Sequence, residues 1–466
     1  MELNLSPLIR QYALVVIVNL SVLTTGMSLA WPSPALVKLR NSTETPLSRP
    51  ITEEEGSWIV SGGYLCAVFS NFVFSPLIDL IGRKYCVLVV SLAKLSTAVI
   101  LIFAKEVWII MLSRIIMNGA DCYLFIIVPI YASEIASKEH RGALGAFLQL
   151  FSSFGVVTTL SVGPFMSYEG FSIFFASIIA VTTVPLFFLP DTPFYLFSKD
   201  RPEDAVKILS LIRGSEELAR QELEEYKTSK SNKEKVDTKA LLKNKIFIKG
   251  LCLGTILCAG SQLVGFNAVS FYLQTILVST NTNVMPEIAS VVIGMIQVLG
   301  SLCTTLVTSK FGRRTILLTS LTGMFLGMVG LGTFFKITES KDYVVTGFMN
   351  YLPLISLILV IFNYCVGIGS LVWLVTSEIF DGPSRALGVT ISGTTSTLII
   401  FLTCKYFAFM TSAMGPAATY WFFSSMCVLV FVLIAIFLPE TKGKTFNEIQ
   451  IALGETDDNN EVKSKI

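Results

Sequence analysis

The sequence predicts an all-α membrane protein, with twelve transmembrane helices in two pseudo-symmetric six-helix bundles. Three observations carry this expectation. Of 466 residues, 53% are hydrophobic and only 15% charged, a balance that suits a chain whose main solvent is lipid. Twelve apolar stretches are each long enough to cross a hydrocarbon core of roughly 30 Å. A polar signature also occurs twice, in the same order, between those stretches. The first copy is Asp79-Leu80-Ile81-Gly82-Arg83-Lys84, then Glu134-Ile135 with Arg141-Gly142, then Pro190-Asp191-Thr192. The second is Ser309-Lys310-Phe311-Gly312-Arg313-Arg314, then Glu378-Ile379 with Arg385, then Pro439-Glu440-Thr441. Ordered repetition of this kind marks a duplicated membrane machine.

The first six spans fall at 12–31, 57–78, 85–104, 107–132, 144–165 and 171–189. The second six fall at 248–276, 286–308, 315–336, 351–379, 386–411 and 418–438. This gives an N-terminal bundle over 1–193, a mixed-charge helical linker over 194–247, a C-terminal bundle over 248–438 and a tail over 439–466. The linker carries a helical run from Glu203 to Tyr226 and reads as a group of short cytosolic helices. With the N-terminus inside, most of the 35 basic residues fall on the inner side, among them Arg83, Lys84, Arg141, Arg313 and Arg314. Lys38, Arg40, Arg49, Lys105, Lys336 and Lys341 fall outside. Both termini are then cytosolic. Asn41-Ser42-Thr43 lies in the first outer loop, where Asn41 is an N-glycosylation acceptor. The first span is too long for a cleaved leader and reads as a retained helix.

Several function classes are excluded. A net charge of +2 points to neither nucleic acid nor an acidic partner, and no obligate protein partner is evident. One histidine, His140, leaves no material for a zinc site or a Ser-His-Asp triad. The nine cysteines lie in or at the ends of apolar spans and read as small buried hydrophobes, not as a disulfide framework. The chain is therefore not an enzyme, and neither a cofactor nor a metal is expected.

The charged residues divide into two groups. Asp79, Arg83, Glu134, Arg141, Arg313, Arg314, Glu378 and Arg385 map to the cytosolic ends of helices. The positive-inside rule accounts for the arginines, but not for acid and base at matched spacing in both halves. The sharper expectation is a cytosolic gate, an ion-pair lock between the halves that closes in one state and opens in the other. Lys94 and Asp121 differ, because both sit near mid-span in antiparallel neighbours. A buried Lys94–Asp121 ion pair is the simple reading, and a proton relay is the alternative.

The motifs resemble the sugar porter branch of the major facilitator superfamily over nearly the whole chain. Pro129-Ile130-Tyr131-Ala132-Ser133-Glu134-Ile135-Ala136 with Arg141-Gly142 resembles the motif of its fourth helix. Pro190-Asp191-Thr192-Pro193 resembles the Pro-Glu-Ser-Pro motif after the sixth. Gln262-Leu263-Val264-Gly265-Phe266-Asn267 resembles the Gln-Gln-x-Ser-Gly-x-Asn motif of the seventh. Gly367-Ile368-Gly369 with Trp373 and Glu378 resembles the tenth, and Pro439-Glu440-Thr441-Lys442-Gly443 the stretch after the twelfth. The overall texture is most similar to insect facilitated trehalose transporter-like proteins.

The resemblance implies a multi-pass plasma-membrane carrier of a small neutral sugar, trehalose or a hexose such as glucose, working by alternating access. Its sugar contacts map to Gln149, Gln262, Asn267 and Trp373, with Gln297 where an asparagine is common. Amides donate and accept at once, and tryptophan offers a face to the ring's C–H surface. Amides at depth also simply bridge helices, so that reading stands beside it. The chain departs from the pattern at Ser261, at Ser370 and Val372, at Ser396-Thr397, at Leu80 and at Ser309. Proton-coupled members place a carboxylate in the first span. This span has Asn19, Ser21, Thr24, Thr25 and Ser28 but no acid, which points to facilitated diffusion. A proton–sugar symporter and a non-transporting sugar receptor are the alternatives.

Overall fold

The computed structural model describes residues 6–137, 140, 144–231, 244–339, 345–380, 382–444, 448–449 and 451, and every regular element among them is helical. The chain divides into two compact units, Met1–Lys233 and Glu234–Ile466. Eleven helical stretches among the described residues are long and apolar enough to cross a membrane. The second expected span is occupied by a further helix of 29 residues, Glu53–Ile81.

In the first unit, α1 (Pro7–Ala30) begins where the Ser6 side chain accepts the Ile9 N–H and Pro7 presets the first turn. Trp31 links it to α2 (Pro32–Arg40). Several polar residues of α1 are buried and bond backward along the helix. Ser21 Oγ donates to Val18 O at 2.6 Å, Thr24 Oγ1 to Ser21 O at 2.7 Å and Asn19 Nδ2 to Val15 O at 2.7 Å. α3 (Glu53–Ile81) ends at Gly82, and α4 (Arg83–Phe103) and α5 (Val107–Ile135) follow. α6 (Phe147–Val162) and α7 (Tyr168–Thr183) complete the bundle. α1 packs most closely on α6. A Cβ on Gly26 would lie 1.9 Å from Ser152 O, and one on Gly155 2.0 Å from Leu23 O, so the two backbones touch through glycine.

Thr52 starts α3 through a reciprocal cap. Its hydroxyl accepts the Glu55 N–H at 3.2 Å, and Glu55 accepts the Thr52 N–H at 2.8 Å. Arg49 adds two hydrogen bonds to Glu55, at 2.6 and 2.9 Å. Chiefly through Arg49, the Glu55 carboxyl, ordinarily near 4.5, is held down to about 2. A lowered acid contributes stability that is complete above the ordinary value and lost as pH falls through about 2. Glu55→Gln therefore destabilises the protein at neutral pH by about 1 kcal/mol at most, because water screens the pair. The gap to wild type closes toward the acid end of a thermal-shift series.

Beyond the bundle come α8 (Pro193–Ser198), α9 (Pro202–Arg213) and α10 (Glu216–Ser231). Gly214, at φ +82, ends α9, so the expected run from Glu203 to Tyr226 is two helices. Both pack into the first bundle's core through Leu209, Ile212, Ala219 and Leu223. Arg213 fastens them by donating to Ile135 O at 2.9 Å, at the carbonyl end of α5, while Glu222 balances its charge at 2.7 Å. Gln11 of α1 adds a second link, donating to Ile212 O at 2.8 Å and accepting the Ser137 N–H at 2.9 Å.

In the second unit the first span is built from three pieces, α11 (Lys245–Leu263), α12 (Phe266–Phe271) and α13 (Leu273–Ser279). α14 (Pro286–Lys310) and α15 (Arg313–Thr338) follow. The next span is again divided, into α16 (Leu352–Val366) and α17 (Ile368–Ile379). α18 (Gly382–Met414) and α19 (Pro416–Phe437) close the unit. α15 packs on α16 and α19, and α11 on α18.

Candidate functional site

The polar chemistry of the second unit gathers at the break between α11 and α12. Gly265 turns the chain at φ +83, and a Cβ there would lie 2.6 Å from the Phe423 ring, so glycine alone fits. The turn sets Gln262, in the last turn of α11, beside Asn267, in the first turn of α12. Asn267 Nδ2 donates to Gln262 Oε1 at 2.5 Å, and Gln262 Nε2 donates to Ser261 Oγ at 3.1 Å. Tyr364 of α16 comes close to Gln262. Its ring stacks on Phe266 with centroids 3.6 Å apart and planes 4° from parallel. The result is a short chain of hydroxyls and amides beside an aromatic pair, at a place where a membrane helix is interrupted. Irregular backbone at membrane depth is tolerated where it is enclosed by protein or lines a cavity. Groups that donate and accept without charge suit a neutral, hydroxyl-bearing solute.

The second break has its own support. Gly367 takes φ −120° and ψ −94°, and its freed neighbours are satisfied by hydroxyls. Ser370 Oγ donates to Cys365 O at 2.7 Å, Thr304 Oγ1 to the same oxygen at 2.9 Å and Ser320 Oγ to Asn363 O at 2.7 Å. Ser370 thus bonds the broken turn. Trp373 of α17 is 46% exposed, and its ring edge packs over Gly393 of α18. Gln297 is half-buried on α14. Gln149 belongs to the first unit and is half-buried in the first turn of α6. The structure therefore joins Gln262 and Asn267 directly. Tyr364 and Phe266 were not anticipated, because stacking between distant spans leaves no trace in spacing.

Each copy of the repeated signature folds into a cluster inside its own unit. In the first, buried Arg83 lies 3.0 Å from Asp79 Oδ1 and 3.1 Å from Glu134 Oε1. Phe194 and Tyr195 flank its guanidinium at 5.9 and 5.6 Å. Asp191 approaches the start of α4, where glycine at 82 leaves room for its carboxylate. Burial raises the Asp191 carboxyl, and the nearby cations Lys84, Arg201 and Arg83 oppose it. In the second, Glu440 accepts the N–H groups of Arg313 at 2.7 Å and Arg314 at 3.2 Å at the start of α15. Glu378 accepts from Thr441 Oγ1 at 2.6 Å, and Arg313 Nε stands 3.9 Å from Glu378. Arg314 also donates to Ala435 O. Asp191 and Glu440 are the additions that sequence reasoning missed. Their signal was the recurrence of Pro-acid-Thr in both halves. Arg385 is exposed in the first turn of α18. Arg141 lies outside the described residues, as does the side chain of Ser309.

A third polar group is buried in the first unit. Lys94 Nζ lies 2.6 Å from Asp121 Oδ1, with the two side chains 0% and 3% exposed. Lys94 also donates to Thr24 Oγ1 and Thr25 Oγ1, each at 3.0 Å. Arg114 donates to Ser28 O and Oγ at 3.1 Å and to Asn118 Oδ1 at 3.0 Å, and lies 4.8 Å over the Trp31 ring.

Comparison with known proteins accords with this geometry. The family model described as sugar (and other) transporter matches residues 24–453. The facilitated trehalose transporter Tret1 of Polypedilum vanderplanki is 27% identical over 441 residues, covering 93% of this chain and 86% of that protein. Its counterpart in Apis mellifera ligustica is 26% identical over 436 residues, covering 93% and 86%. Against the Anopheles gambiae protein the figures are 26%, 93% and 54%, so this chain spans about half of that longer relative. Among solved structures, the xylose transporter XylE from E. coli in an inward-open conformation aligns with a TM-score of 0.79 at 22% identity, covering 95% of this chain and 99% of that one. The proton:xylose symporter XylE bound to 6-bromo-6-deoxy-D-glucose aligns at 0.72 and 21%, covering 95% and 98%. The fold is that of the major facilitator superfamily.

Proposed function

The chain belongs to the sugar (and other) transporter family, and from that membership we propose that it is a facilitative carrier of a small neutral sugar, trehalose or a hexose such as glucose. The observation that carries the proposal is the Gln262–Asn267 amide pair at the interruption of α11. These amides, with Tyr364, offer a sugar's hydroxyls neutral donors and acceptors, and Gln149, Gln297 and Trp373 complete the proposed contacts. The naming of similar proteins as facilitated trehalose transporters supports trehalose as the first candidate.

Transport proceeds by alternating access between two six-helix bundles, 1–193 and 248–438, joined by the helices of 194–247 and followed by a cytosolic tail from 439. The clusters around Arg83–Glu134 and Arg313–Glu378 form the cytosolic gate, with Arg141 and Arg385 as further basic members. The first cluster is the tighter on distance, at 3.1 Å against 3.9 Å. We place the protein in the plasma membrane with both termini cytosolic, which leaves Asn41 outside for glycosylation. Asn41 Oδ1 accepts the Thr43 N–H at 3.1 Å and the Thr43 hydroxyl at 2.8 Å, so the acceptor asparagine and the sequon hydroxyl are already in contact.

Uptake of radiolabelled trehalose and glucose into oocytes, with and without a protonophore, tests the proposal. Trehalose uptake that saturates and ignores the protonophore is the expected result. Uptake of no sugar at all would favour a receptor, and protonophore-sensitive accumulation a symporter.

A further inference from the structure

A uniporter of a neutral solute has no need of charge at mid-membrane, yet the first unit buries two cations and one acid together. Lys94 and Asp121 form the 2.6 Å ion pair, and Arg114 on α5 is the second cation. The guanidinium's terminal nitrogens are taken by Ser28 and Asn118, not by Asp121. Lys94 is thus the acid's direct counter-ion. The second carboxylate oxygen, Asp121 Oδ2, is buried and has no hydrogen-bond partner among the described residues.

The titratable groups facing this acid can be named element by element. α4 supplies Lys94, and α5 supplies Arg114 and the Cys122 thiol. α1 supplies only the hydroxyls of Thr24 and Thr25 through Lys94, and Ser28 through Arg114. Tyr64 of α3 and Tyr168 of α7 face Arg114. Among the described residues no second carboxylate and no histidine joins the group.

We propose that Lys94 is an internal counter-ion whose contact with Asp121 neutralises that acid within the first bundle and thereby keeps protons out of the transport cycle. The inference rests on the facilitative reading and deepens it. A carboxylate in a low-dielectric interior takes up a proton unless an opposite charge lies at contact distance. Lys94 supplies that charge, and Arg114 adds a second positive field. Protonating Asp121 would leave two buried cations without an anion. A carboxylate tied to a fixed counter-ion carries no proton across, so sugar moves alone. Without Lys94 the same acid, with a free oxygen at Oδ2, becomes a proton-binding site.

The test compares wild type, Lys94→Met and Lys94→Met/Asp121→Asn, each purified as the full chain and reconstituted in liposomes. Radiolabelled trehalose and glucose exchange is followed between about pH 5 and about pH 8, and uptake is followed under an imposed proton gradient with and without a protonophore. Wild-type exchange is flat with pH. Lys94→Met exchange changes by up to about tenfold per pH unit on one side of the new carboxyl pKa, and the double variant is flat again. A Lys94→Met protein as indifferent to pH as wild type overturns the lock. If Lys94→Met does not fold, infrared titration of wild type decides. The lock predicts that no protonated-carboxyl band removable by Asp121→Asn appears down to about pH 5, and such a band overturns it. Protonophore-sensitive uptake by wild type overturns the facilitative reading instead, and the infrared titration still judges Lys94 separately.

Discussion

Replacing Asp121 by leucine costs about 3–5 kcal/mol of stability, because it strands the buried Lys94 ammonium without its anion. Lys94 is 0% exposed and its remaining contacts, Thr24 and Thr25, are neutral hydroxyls. Hydroxyl oxygens solvate an ammonium but do not neutralise it. The double variant Lys94→Met/Asp121→Leu recovers most of the loss, since a charge pair and an apolar pair of similar volume are close in net energy once desolvation is counted. Thermal unfolding of the purified proteins in one detergent checks both statements. Equal losses in the single and double variants would show that the pair contributes through packing alone. The effect is expected to be large because the site is enclosed from three sides. α1 is already pressed against α6 through Gly26 and Gly155, so it cannot move away from an unpaired cation.

Gln262→Leu raises the KM for the transported sugar by about 10- to 100-fold, with a stability loss of no more than about 1–2 kcal/mol from the stranded Asn267 amide. Gln262 is 5% exposed and its amide joins Ser261 and Asn267. Leucine of similar length keeps the packing, but it removes one donor and one acceptor and leaves Asn267 without its partner. A sugar hydroxyl that had met an amide then loses that bond in a site with few replacements. The split between KM and stability separates this account from the bland one. An amide pair that only ties α11 to α12 would lower the melting temperature and leave KM alone. Concentration-dependent uptake, measured on variants matched for surface expression, reads the difference.

Much of this was legible in the residues. Apolar runs of about 20 residues reveal their own number and length, and a polar motif repeated in order reveals duplication. Asp79, Arg83 and Glu134 were picked out because costly charges recurred at matched spacing, and they meet around one guanidinium. Other features were hidden for physical reasons. Gly265 and Gly260 look alike in a string, and only the packing of Phe423 and a positive φ make the first a break in its span. Glu440 acts on backbone N–H groups at a helix start far away in sequence, and backbone donors leave no residue-specific mark. The docking of α9 and α10 depends on Arg213 reaching the carbonyl end of α5, a contact set by geometry and not by local composition.

In the proposed function this chain moves a neutral sugar down its gradient without an ion. Counterflow tests it most directly. Purified protein is reconstituted in liposomes loaded with unlabelled trehalose or glucose and diluted into a trace of the labelled sugar, with no pH or voltage difference. The prediction is a transient accumulation of label that is unchanged by a protonophore and abolished in empty liposomes. Absence of that transient for every neutral sugar tried, or its dependence on an imposed proton gradient, would contradict the account.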